Sequence, residues 1–126
     1  MLRALRYFVA LFGIVCCAIA LAHIAIGPAA IPGGSAVNAT MDSEDRFYAS
    51  LFLGFGAALI WCSGDLRGRG GVLGALLITF FLGGVARVIS AAQVGFPNSL
   101  FIFLGAVELV LPPVLWWWRR KALSGT

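Results

Sequence analysis

The stretch Val72–Ala92, VLGALLITFFLGGVARVISAA, decides how this chain is read. It is apolar throughout except for one charge, Arg87, and two hydroxyls, Thr79 and Ser90. At 1.5 Å of rise per residue, about 20 such residues cross a hydrocarbon core of roughly 30 Å. Three further runs of the same kind surround it: Tyr7–Ile26, Phe47–Ser63 and Leu100–Trp118. The whole sequence of 126 residues is 61% hydrophobic and 11% charged, with a mean hydropathy of +0.99. A soluble domain of that size needs a largely polar surface, which this composition does not supply. The reading is an all-α integral membrane protein, a four-transmembrane-helix bundle in one membrane domain, with spans near 7–26, 47–63, 72–92 and 100–118.

The connections carry loop chemistry. Segment 27–46 holds Pro28, Pro32, Gly33 and Gly34 and ends in Asp42, Glu44 and Asp45. Asp42 or Ser43 is expected to cap the following helix, where carboxylates suit the helix dipole. The triplet Asn38–Thr40 is a formal glycosylation acceptor without meaning in a bacterium. Segment 64–71 (GDLRGRGG) is a tight basic turn, and Gly95, Pro97 and Asn98 mark a turn before the fourth span. A signal peptide competes for the first run, but the run is longer than a usual signal core.

Charge placement sets orientation. With both termini in the cytoplasm, the inner segments hold Arg3, Arg6, Arg67, Arg69, Arg119, Arg120 and Lys121 against Asp65. Loop 27–46 is then extracytoplasmic and turn 64–71 cytoplasmic, as the positive-inside rule requires. Trp116, Trp117 and Trp118 beside the basic tail form an interfacial anchor. The net charge of +4 therefore speaks for anionic lipid, not nucleic acid. Eight of the nine basic residues are Arg, and Ala and Gly abound, which fits a bacterial cytoplasmic (inner) membrane. Cys16, Cys17 and Cys62 match no zinc or redox spacing, and the only Met residues, Met1 and Met41, offer haem no ordinary second axial ligand. No metal and no cofactor are expected.

Helices associate in lipid through small residues and polar contacts. Ser50, Gly54, Ala58 and Cys62 repeat at four-residue spacing on the second span, and Gly71, Ala75, Thr79 and Gly83 do so on the third. Both sets are expected to be helix-packing faces, which either only close this bundle or dock another protein. Charges inside a span are costly and mark a role. Arg87 and Glu108 are expected to pair, although their depths differ by about 7 Å at 1.5 Å per residue. Pro112 and Pro113 leave the carbonyls of Glu108 and Leu109 without helical donors, so a kink is expected there. Ser90, Gln93, His23, Arg46 and Tyr48 complete an expected intramembrane polar cluster with three readings. It fixes helix register, binds a head group, an ion or a partner helix, or relays protons in coupled transport through its carboxylate, Arg and His.

With those residues in view, the chain resembles a family of small four-span bacterial membrane proteins known only as a domain of unknown function. The resemblance rests on RFYASLFLGFGAAL (Arg46–Leu59), GGVARVISAAQVGFPN (Gly83–Asn98) and GAVELVLPP (Gly105–Pro113). It implies no activity and no catalytic residue, but it singles out Arg46, Tyr48, Arg87, Ser90, Gly95, Pro97 and Glu108. One His and two intramembrane charges form no catalytic set, so no enzyme is expected. The leading expectation is a non-catalytic accessory subunit of a larger membrane complex, with membrane lipids and other integral membrane proteins as partners. Such subunits are similar to ones that accompany permeases, including lipid importers of the mammalian-cell-entry type in actinobacteria. The alternatives are a homo-oligomeric small-solute carrier or channel and a membrane enzyme acting on lipid at the Arg87–Glu108 cluster.

Overall fold

The structure is a computed structural model, and it describes residues 1–125. Among them are α1 (Leu2–Ile26), a short 3-10 turn (Gly27–Ala30), α2 (Ala39–Ser63), α3 (Gly70–Val94) and α4 (Ser99–Ser124), with no strand. All four α-helices are long and apolar enough to cross a membrane. In lipid every backbone N–H and C=O must be paired within its segment, and the helix achieves this without a neighbour.

Each helix outruns its apolar run, and the ends show why. Asn38, not Asp42 or Ser43, caps α2: its Oδ1 accepts from the N–H of Met41 at 2.9 Å. The helix therefore starts at Ala39, and the acidic cluster expected in a loop lies inside its first turns. Asn98 caps α4 in the same way, accepting from the Leu100 N–H at 3.0 Å. Gly95 ends α3 with φ +96°, a conformation that L side chains rarely adopt. Helix α4 runs on through Pro112 and Pro113 without a break.

The described chain divides into two compact units, residues 6–65 and residues 1–5 with 66–125. In the first, α1 and α2 run antiparallel. Their backbones nearly touch at Gly13 and Gly56: a Cβ on Gly13 would lie 2.6 Å from the Gly56 carbonyl oxygen, and one on Gly56 would lie 2.7 Å from that of Gly13. Cys17 donates to the Leu53 carbonyl at 3.7 Å, and Arg6 donates to that of Ser63 at 3.0 Å.

In the second unit, α3 and α4 form another antiparallel pair. Gly84 is the close approach, since a Cβ there would lie 2.9 Å from Leu109. Arg119 ties the end of α4 to the turn before α3, donating to the carbonyls of Leu66 at 2.8 Å and Arg67 at 3.4 Å. Any Cβ on Gly70 would run into that guanidinium.

Within each hairpin the close contacts fall beside the expected small-residue faces rather than on them. Helix α2 buries Ala49, Gly56, Leu59 and Cys62, while Ser50 and Gly54 are exposed and Ala58 is half-buried. Helix α3 buries Gly70, Leu73, Leu77 and Gly84, while Gly71, Ala75, Thr79 and Gly83 are all exposed. Gly54, Gly71 and Gly83 each have open space where a side chain would stand. The two hydroxyls bond their own helix, Ser50 to the Phe47 carbonyl at 2.6 Å and Thr79 to that of Ala75 at 2.9 Å. They need no partner helix, which removes the polar reason for burying that face.

Candidate functional site

The polar residues fall into two groups, one per unit. In the second unit, Arg87 Nε donates to Glu108 Oε1 at 2.5 Å. The side chain of Glu108 is 12% exposed and that of Arg87 is 40% exposed. Gly105 makes the approach possible, because its missing side chain leaves room for Arg87 Cδ, 3.4 Å from where a Cβ would stand. The guanidinium also lies 5.6 Å from the centre of the Phe101 ring, a favourable place for a cation with little water. Pairing with a carboxylate converts two costly charges into one dipolar unit that lipid tolerates far better. Ser90 and Gln93 are exposed and take no part in this pair.

In the first unit, the C-terminal end of α1 meets the N-terminal end of α2. His23 Nδ1 lies 3.0 Å from Asp45 Oδ2. Arg46 Nε donates to Asp42 at 2.8 Å, and its Nη1 donates to the Ile24 carbonyl at 2.7 Å and to that of Ala25 at 3.3 Å. The last carbonyls of a helix lack intrahelical donors, so Arg46 caps α1 from α2. Gly27, with φ +65°, lets the chain reverse at this point, and a Cβ on it would meet Asp42 at 2.8 Å and Arg46 at 2.9 Å. Tyr48 is exposed and stands edge-on to Phe47 with ring centres 5.6 Å apart, outside the charge network.

The sequence points to His23, Arg46 and the Arg87–Glu108 pair but not to Asp45 and Asp42 as the partners of His23 and Arg46. The four-residue spacing of Asp42 and Arg46 was the available signal. It was hidden because the helix was begun at the first apolar residue. Among the described residues no three His, Cys, Asp or Glu side chains come close enough to hold a metal ion.

At the end of α4, Arg119 lies 4.7 Å from the centre of the Trp116 ring and Lys121 lies 5.9 Å from that of Trp117. Trp116 also walls an apolar groove of about 430 Å³ between α3 and α4, with Gly74, Leu77, Ile78, Phe81 and Pro112 among its other walls.

Four membrane-crossing helices with an ion pair inside one hairpin define an all-α, multi-pass membrane protein. The chain matches the family described as domain of unknown function DUF4345 over residues 4–119, and it belongs to that family. No curated protein and no solved structure matches it.

Proposed function

We propose that this protein is a non-catalytic accessory subunit of a larger membrane complex, set in a bacterial cytoplasmic membrane with both termini on the cytoplasmic side. The observation that carries this reading is the pair of small-residue faces, Ser50 with Gly54 and Gly71 with Ala75, Thr79 and Gly83. Neither face is used by the hairpin it belongs to, and both are exposed. Small residues let helices approach closely in lipid, where no hydrophobic drive brings them together. Transporter permeases are the partners to test first, an ABC-type lipid importer of the mammalian-cell-entry kind among them.

The test is purification of the chain from its native membrane in mild detergent, beside a Gly83→Leu variant. The expected result is a stoichiometric complex with other integral membrane proteins that the variant loses while its own helices stay folded. Recovery of this chain alone as a defined oligomer would sink the proposal.

That outcome would promote a second reading, a homo-oligomeric small-solute carrier or channel. What favours it is Arg87, whose guanidinium engages Glu108 through Nε and stays 40% exposed. In a carrier, a cysteine placed by Glu108→Cys reacts with water-borne thiol reagents. In an accessory subunit it is protected.

A further inference from the structure

We propose that the α3–α4 groove holds one acyl chain of an anionic phospholipid, with the phosphate met by Arg119, Arg120 and Lys121. The groove exists because Gly74 has no side chain and Pro112 presents only a compact ring to it. Its volume of about 430 Å³ lies in the range of roughly 300–1,000 Å³ typical of small-ligand sites. Its walls are aliphatic and aromatic side chains with no charged group among them, so the part of a ligand that enters must be apolar. From Gly74 to Phe81 it follows α3 for about 10 Å, at 1.5 Å per residue.

The charge at its mouth selects the head group. Trp116 is both a groove wall and the ring on which the Arg119 guanidinium rests, so apolar wall and cation are contiguous. Arg120 and Lys121 lie about 6–7.5 Å further along α4 at the same rise. Arg119 spends its donors on the carbonyls of Leu66 and Arg67, which carry no net charge to neutralise it. Lys121 rests on Trp117, and neither it nor Arg120 pairs with a carboxylate among the described residues. Three neighbouring cations without a counter-charge at a membrane interface attract anionic lipid. A partner helix fits the groove less well, since Ile78, Phe81 and Trp116 hold another backbone at a distance, whereas close helix pairs rely on small residues.

Native mass spectrometry of the full chain in dodecyl maltoside, titrated with dioleoylphosphatidylglycerol or dioleoylphosphatidylcholine, tests this. The expected result is one retained phosphatidylglycerol at concentrations where phosphatidylcholine is lost. Ile78→Trp, which fills the groove from an exposed position, and the pair Arg120→Gln with Lys121→Gln each weaken that retention by about tenfold. Ile102→Ala, exposed on α4 away from the groove, leaves it unchanged and controls for folding. Equal retention of both lipids overturns the proposal. So does retention that Ile78→Trp does not alter, or a co-purified protein segment that shields Gly74→Cys from thiol labelling while no lipid is bound.

Discussion

Between α1 and α2 the helices meet backbone to backbone at Gly13 and Gly56, and their carboxylate pairs gather at one end, around His23, Asp42, Asp45 and Arg46. Between α3 and α4 the contact at Gly84 is with a side chain, Leu109, and the strongest polar contact, Arg87 with Glu108, lies well inside the helices. The same chemistry carries a different weight in the two places. A carboxylate near a helix end can fall back on water and head groups if its partner is lost. A carboxylate within a span cannot, so there the partner decides whether the helix is tolerated.

The sharpest way to break the comparison is Gly56→Leu. Its Cβ meets the Gly13 carbonyl and the Cys17 backbone nitrogen, which cannot swing aside, besides the Cys17 sulfur, and overpacking costs about 1–3 kcal/mol. Loss of α1–α2 contacts in a cysteine crosslinking assay is the expected outcome, with α3–α4 unaffected. Glu108→Leu comes next. It leaves Arg87 unpaired, and an uncompensated cation near a helix centre costs about 2.5–3.5 kcal/mol. Detergent unfolding measures that loss, and Arg87→Leu in the same chain restores most of it. The charge swap, Glu108→Arg with Arg87→Glu, is expected to be better tolerated than either single change. Equal tolerance means that the pair does not act directly.

Arg46→Gln has a smaller, local effect. It uncaps α1, so hydrogen exchange rises in the last turn of α1 and nowhere else. Asp45→Asn is the mildest, at less than about 1 kcal/mol, because its partnership with His23 is partly exposed and screened by salt. If Asp45→Asn proves as damaging as Glu108→Leu, depth is not what separates the two hairpins.

How much was legible can be judged from particular residues. Arg87 and Glu108 stood out because each is a lone charge in an apolar run, and no alternative partner is nearby in either run. His23 and Arg46 stood out too, as polar residues at the ends of their apolar runs. The acids that hold them escape notice because the cap at Asn38 lies nine residues before the first strongly apolar position, Phe47. The close contacts within each hairpin were not legible for another reason. Gly54 and Gly56 both sit two-thirds of the way along α2, as Gly83 and Gly84 sit side by side on α3. Four-residue spacing favours Gly54 and Gly83, yet the close contacts belong to Gly56 and Gly84.

By itself the sequence determined that this protein has four membrane-crossing helices, where their apolar stretches lie and which charges are out of place within them. Length and hydropathy are properties of each segment alone, and lipid leaves a lone segment few conformations but the helix. The tertiary structure alone decided which face of each helix packs within its hairpin and that Asp42 and Asp45 answer Arg46 and His23. Several faces of one helix satisfy the same spacing rule equally well, and only the shape and charge of the neighbouring helix select among them.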